Sequence, residues 1–201
     1  MSEKGRSSLL IVLSGPSGVG KDAVIQRLKA SAFPLHYTVT VTTRPRRPNE
    51  VHGVDYFFTG EADFDAMLAR DELLESALVH GHKYGTPRQQ VREALAAHKD
   101  VLLKIDVQGA TQVRHKVPEA VSIFLAPANL DELVRRLRSR GSESAAELAL
   151  RLHNAEGELE DLPNYDYVVL NEQDRLQETV DQVKAIITAE HCRVRQRRIV
   201  V

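Results

Sequence analysis

Residues 9–22, Leu-Leu-Ile-Val-Leu-Ser-Gly-Pro-Ser-Gly-Val-Gly-Lys-Asp, constrain this 201-residue chain more than any other stretch. Five consecutive apolar residues, Leu9 to Leu13, predict a short buried strand. Glycines at 15, 18 and 20 lead to Lys21, and Val24, Ile25 and Leu28 then carry the period of an amphipathic helix. Strand, glycine-rich loop and helix in that order turn G-x-x-x-x-G-K from a text match into a phosphate site. Glycine lets the backbone aim successive N–H groups at an anion, and the helix N-terminus adds a favourable dipole. Gly15, Pro16, Ser17, Gly18, Val19, Gly20, Lys21 and Asp22 are therefore the expected nucleotide-phosphate loop, with Lys21 reaching the β- and γ-phosphates. One position is irregular. Asp22 stands where such loops carry a Ser or Thr, whose hydroxyl holds Mg²⁺.

The rest of the chain supplies an α/β frame for that loop. At 42% hydrophobic and 27% charged residues, the chain can bury one full core and an inserted subdomain. A net charge of -1 offers nucleic acid or an anionic membrane no global attraction. The single cysteine, Cys192, excludes an internal disulfide framework and fits a reducing compartment. Lys4 and Arg6 precede an apolar run too short for a signal peptide, and no stretch approaches the ~20 apolar residues of a membrane helix. The expectation is a cytoplasmic protein.

Strands are expected at Tyr37–Val41, Gly53–Thr59, Leu73–Val79, Val101–Ile105, Val121–Leu125 and Val168–Leu170. Between them lie helices at about Glu61–Arg70, from Thr86 to about His98, and from Gly109 to about Lys116. Asn129-Leu-Asp-Glu132 and Ser144-Ala-Ala-Glu147 read as helix starts of the capping-box type, and a last helix runs from about Asp174. Thr86, followed by Pro87 and Gln89, also reads as a cap. Strands alternating with helices predict a mainly parallel sheet covered on both faces. Residues 37–90, with denser strands, read as an insertion on one edge.

Three places carry further chemistry. Thr42-Thr43-Arg44-Pro45-Arg46-Arg47-Pro48 holds three arginines in four residues on a proline-stiffened loop. It is either a solvated basic loop or a second phosphate site, since guanidinium forks grip phosphate oxygens bidentately. Glu75 inside an apolar strand is costly unless it meets a partner or a ligand. Asp106 stands at the carboxyl end of a strand, where α/β sheets display functional groups. His80 and His82 lack a third ligand in view and read as exposed turn residues rather than a metal site. The arginines at 135, 136, 138 and 140 also suit a helix C-terminus without any ligand.

Taken together, these residues resemble the guanylate kinase family over nearly the whole chain. The resemblance rests on four blocks in order: Gly-Pro-Ser-Gly-Val-Gly-Lys; Thr-Thr-Arg-x-x-Arg followed by Gly53 and Asp55-Tyr56; Tyr84-Gly85-Thr86; and Ile105-Asp106-Val107-Gln108-Gly109. It implies a P-loop NTPase-type parallel sheet, an inserted nucleoside-monophosphate-binding subdomain and a helical lid. On this chain the core would be residues 7–36, 91–137 and 160–201, the insertion 37–90 and the lid about 138–159. The implied reaction is ATP + GMP to ADP + GDP with Mg²⁺ as cofactor and those nucleotides as the small-molecule partners. Arg44, Arg47, Tyr56 and Tyr84 match residues holding the GMP phosphate; Glu75, Thr86 and Asp106 match those contacting guanine, and Thr40 a nearby hydroxyl. Arg136, Arg140 and Arg151 match arginines that close on ATP and the moving phosphoryl, joining Lys21 and Arg44 as the expected catalytic set. Asn171 falls near the adenine.

Two departures stand out against the family pattern: Asp22, and Lys104 where the family usually has an acid. A free carboxylate beside the β- and γ-phosphates needs a cation, so Asp22 is expected either to ligate Mg²⁺ or to be coupled to Lys104. The Gly-Lys-Asp loop also resembles ribose 1,5-bisphosphate phosphokinase, whose base-free substrate leaves Glu75, Thr86 and Asp106 without a role. A non-catalytic guanylate-kinase-like binding domain is the other alternative, and Lys21 argues against it.

Overall fold

The computed structural model describes residues 7–79, 81–138 and 145–201, with the side chains of residues 145–151 and 153 outside the description. In chain order the elements are β1 (Leu10–Ser14), α1 (Lys21–Ala30), β2 (Leu35–Tyr37), β3 (Thr40–Thr42), β4 (Tyr56–Phe58), α2 (Glu61–Ala69), β5 (Leu73–Val79), β6 (His82–Pro87) and α3 (Arg88–Ala96). They continue with β7 (Asp100–Lys104), α4 (Val107–Lys116), β8 (Val121–Pro127), α5 (Leu130–Arg138), α6 (Ala145–Glu160), β9 (Tyr167–Asn171) and α7 (Leu176–His191).

Five strands form a sheet in the order β2-β7-β1-β8-β9, in which the β2–β7 and β8–β9 pairs are parallel. A second, four-stranded sheet of order β4-β3-β6-β5 lies within residues 40–87. There β3 pairs parallel with β4, while β6 pairs antiparallel with both β3 and β5. The chain divides into two compact units, residues 1–11, 34–120 and 197–201 forming one, and 12–33 and 121–196 the other.

The first unit buries Val101, Leu102 and Leu103 of β7, and a cluster of Val41, Phe64 and Leu73 with Phe57 and Met67 beneath the second sheet. In the second unit α7 lies against β9 and α1, burying Val180, Val183 and Ile187 on its inner face. There too Leu133 and Leu137 of α5 meet Ala155 of α6. Each fully buried large apolar side chain contributes about 1.5–3 kcal/mol, so these faces hold their elements in place.

Several expected elements need correction. Tyr37–Val41 is not one strand but parts of two, in different sheets. The Gln90 side chain accepts from the Val39 N–H (2.6 Å) and donates to its carbonyl (3.2 Å), ending one ladder before the next begins. The strand at Gly53–Thr59 is confined to Tyr56–Phe58, because Gly53 turns at φ 81. His82, expected in an exposed turn, lies half-buried at the start of strand β6, with Gly81 at φ 77 in the turn before it and His80 outside the described residues. Thr86 does not cap α3. Pro87 occupies that position without a side-chain cap, and Thr86 lies within β6. The helix expected from Gly109 begins at Val107, capped by Asp106, and the last helix begins at Leu176 because Asp174 has a left-handed φ of 62. Asn129 does cap α5, its Oδ1 accepting from the Glu132 N–H at 2.9 Å. The cap expected at Ser144 falls outside the described residues.

Candidate active site

The glycine-rich loop of the second unit joins the buried end of β1 to α1. Gly20 is the N-cap of α1 at φ 103, and a Cβ there would collide with the Asn171 amide, so both backbone conformation and space demand glycine. The Val19 carbonyl accepts from two side chains, Arg136 Nη1 at 2.8 Å and Asn171 Nδ2 at 2.7 Å. Asn171 is buried at the end of β9, where its Oδ1 accepts from Thr179 Oγ1 at 3.2 Å. Arg136 is held in turn by the Asn171 carbonyl (2.7 Å) and the buried Glu132 carboxylate. Both residues thus brace the loop from α5 and β9. Lys21 Nζ donates to the carbonyls of Gly15 and, at 3.2 Å, Pro16. Asp22 is exposed in the first turn of α1. The Ser17 N–H donates to Glu158 Oε2 of α6 at 3.1 Å, so a carboxylate holds one of the amides suited to a phosphate.

The first unit holds two groups of side chains. The first surrounds Tyr56. The Arg44 guanidinium lies 5.2 Å from the Tyr56 ring centroid and 5.7 Å from that of Phe58, and the Tyr56 and Tyr84 rings stand edge to face at 6.2 Å. Arg44 grips Glu50 with both Nη atoms, at 3.0 and 2.7 Å, and the same carboxylate accepts from the Arg47 N–H at 2.9 Å. The hydrogen bond to Glu50 raises the Arg44 pKa, and the one from Arg44 lowers that of Glu50. Arg47 is exposed, and Thr40 sits in register with Tyr56 on β3.

The second group surrounds Glu75, which is buried in β5 opposite Thr86 of β6. The Thr86 hydroxyl donates to Glu75 Oε1 at 2.6 Å. Burial pushes the Glu75 pKa up to about 7; the Thr86 hydrogen bond opposes that rise and the charge of Asp106 adds to it. Asp106 caps α4 by accepting from the Gly109 N–H at 2.8 Å. Helix α4 is fastened to β5 by Lys116 Nζ on the Leu74 carbonyl (2.7 Å) and by the Gln112 amide on both backbone groups of Ser76 (2.5 and 3.1 Å). Gly109 lies so close to Glu75 Oε2 that any Cβ would overlap it.

The structure therefore gathers Arg44, Tyr56 and Tyr84 around one ring, and Glu75, Thr86 and Asp106 around one buried carboxylate. Arg136 and Asn171 meet at the phosphate loop. Arg140 lies outside the described residues, and Arg151 is described only as backbone in α6. Sequence reasoning missed Glu50 and Glu158, and it gave Glu132 and Gly109 no place beside Arg136 and Glu75. For Glu50 a signal existed, an acid three residues after three clustered arginines. Among the described residues no group of three or more His, Cys, Asp or Glu is arranged to hold a metal, and no helix is long and apolar enough to cross a membrane.

A parallel sheet whose buried strand runs into a glycine-rich loop, a lysine and a helix defines a P-loop α/β protein. The family model for guanylate kinase matches residues 7–190. The guanylate kinase of Halalkalibacterium halodurans is 48% identical over 191 residues, covering 95% of this chain and 91% of that protein. That of Desulfitobacterium hafniense is 44% identical over 189 residues, 94% of each. The crystal structure of guanylate kinase from Anaplasma phagocytophilum superposes with a TM-score of 0.77 at 32% identity, covering 94% of this chain and 89% of that one. The chain belongs to the guanylate kinase family.

Proposed function

We infer that the chain transfers the γ-phosphoryl of ATP to GMP, giving ADP and GDP, and that Glu75, Thr86 and Asp106 read the guanine. The comparisons favour this activity over the sugar-phosphate kinase and the non-catalytic domain. The observation that carries the base-reading is the buried Glu75 with its short bond from Thr86. An ionised carboxylate accepts from both the N1–H and the 2-amino group of guanine. Adenine presents an acceptor at N1 and no 2-amino group, so it offers the buried carboxylate neither donor.

Arg44, Arg47, Tyr56 and Tyr84 hold the acceptor phosphate in this reading, with Thr40 beside them. The loop N–H groups of residues 15–22 and the Lys21 ammonium hold the donor phosphates. Arg136, Arg140 and Arg151 bring positive charge to the moving phosphoryl, and Asn171 serves the adenine side through the loop it braces. Phosphoryl transfer asks mainly for alignment and charge neutralisation, and an acceptor phosphate already ionised at neutral pH needs no general base. Residues 138–159 would form the lid and 37–90 the acceptor subdomain of this scheme. Mg²⁺ fits the donor set through the exposed Asp22 carboxylate, a hard oxygen ligand of the kind that holds this ion together with substrate phosphates and water. When bound, the ion supplies charge neutralisation on the ATP phosphates. Both nucleotides are cytoplasmic metabolites, which suits a cytoplasmic enzyme.

An ADP-release assay across GMP, dGMP, AMP, UMP and ribose 1,5-bisphosphate tests the assignment. GMP is expected to exceed AMP in kcat/KM by about 10⁴, the discrimination typical of a site built to hydrogen-bond its substrate. Equal turnover of GMP and AMP would sink the base-reading role, and turnover of the sugar bisphosphate in place of GMP would sink the activity itself.

A further inference from the structure

Lys104 closes β7 two residues before Asp106, and its ammonium lies 5.6 Å from the centroid of the Tyr56 ring. The Arg44 guanidinium lies 5.2 Å from that same centroid, and Tyr84 meets the ring edge-on. Three other segments of the first unit thus converge on Tyr56 of β4: the loop after β3, β6 and the end of β7. Lys104 is half-buried there. An aromatic face attracts a cation. An ammonium on a four-carbon stem carries three rotatable donors that can reach phosphate oxygens.

We propose that Lys104 is a further acceptor-phosphate residue, adding a positive charge to the site that Arg44, Tyr56 and Tyr84 form around the GMP phosphate. The proposal rests on the reading of those three residues given above. An acid at the end of β7 repels a doubly ionised phosphate, whereas Lys104 draws it in. Affinity for the phosphate half of the acceptor rises, while the guanine half, carried by Glu75 and Thr86, is untouched.

The comparison of GMP with guanosine separates the two halves. Lys104→Met keeps the length and packing of the side chain and removes only its charge and donors. It is expected to raise the KM for GMP about tenfold, the lower range for loss of a hydrogen bond to a charged group. The inhibition constant of guanosine, which has no phosphate, and the KM for ATP should stay within a factor of two. Lys104→Arg, which retains charge and donors, should keep the GMP KM within about threefold, and Lys104→Glu should lose more than the Met variant. Arg44→Ala run in parallel distinguishes two kinds of failure. If Arg44→Ala collapses the GMP preference over guanosine and Lys104→Met does not, the role of Lys104 is overturned and the acceptor site stands. If neither changes that preference, the reading of the acceptor site falls, and the proposal with it. Equal weakening of GMP and guanosine by Lys104→Met also overturns the proposal, because it marks a residue that only shapes the fold; Lys104→Arg settles the matter should the Met variant fold poorly.

Discussion

On the proposed reading of guanine, Glu75 ties acceptor affinity to pH in a way that a substitution to Gln should remove. With its pKa at about 7, the empty site carries a carboxylate that is roughly nine-tenths ionised at pH 8 and one-tenth ionised at pH 6. In that reading guanine donates two N–H groups to the ionised form, so GMP should lower this pKa on binding and expel a proton. The contribution of Glu75 to GMP affinity is therefore complete above pH 7 and fades as the pH falls through it, by about tenfold between pH 8 and pH 6. The GMP phosphate itself titrates near pH 6, but this affects parent and variant alike and cancels in their ratio. In Glu75→Gln the ratio of variant to parent Kd should be largest at pH 8 and about tenfold smaller at pH 6. Isothermal titration calorimetry in buffers of different ionisation enthalpy reads both the ratio and the proton released. Stability carries the opposite sign. Because the folded pKa is raised, the empty protein binds protons more readily than the unfolded chain between pH 4.5 and about 7, and loses stability as the pH climbs through that window. The loss levels off above pH 7 at roughly 3 kcal/mol, so Glu75→Gln should raise Tm by several degrees at pH 8 and by less at pH 6. A Kd ratio constant from pH 6 to pH 8 would refute the reasoning.

Three further perturbations test other contacts. Gly109→Ala drives a methyl group into Glu75 Oε2, which Thr86 keeps in place, and should cost about 1–3 kcal/mol in denaturant melts while raising the KM for GMP; adding Glu75→Ala should restore much of the stability. Asn171→Ala removes one of two donors to the Val19 carbonyl and a partner of Thr179, for a loss of roughly 1–3 kcal/mol of stability and a higher KM for ATP with that for GMP unchanged. Glu158→Gln replaces the charged acceptor on the Ser17 N–H with a neutral one, and steady-state kinetics should show the KM for ATP falling about two- to fivefold because the competitor of the phosphate has become weaker.

The phosphate loop was legible because everything that makes it is local: an apolar run, three glycine positions and a lysine lie within fifteen residues. Glu75 was legible as an anomaly, a carboxylate in an apolar strand, but its partner was not. Thr86 is two residues from the start of α3 and reads as a cap, whereas its hydroxyl is drawn across the ladder to a buried carboxylate by the register of β5 on β6. The change of sheet at Val39 depends on Gln90, fifty-one residues further along, and no local pattern announces it. β6 was not legible as a strand because its polar residues lack the alternation of a half-buried strand; its Lys83 is paired with Glu61 and Asp65 of α2. Arg136 and Asn171 were expected at ATP through the family resemblance. The structure adds what motifs do not carry, that both hold the loop by the same carbonyl.

That shared carbonyl has a geometric corollary. A trans peptide unit is a rigid plate whose C=O and N–H point in opposite directions. Two donors clamped to the Val19 oxygen therefore also set the direction of the Gly20 N–H, turning it away from the clamp. Pulling on one end of the plate aims the other. A donor aimed in this way is in position before any anion arrives, and the entropy of orienting it is lost during folding rather than on binding. The side chains that aim it lie in α5 and at the end of β9, over a hundred residues along the chain, and neither has to touch a nucleotide to govern how well the loop receives one.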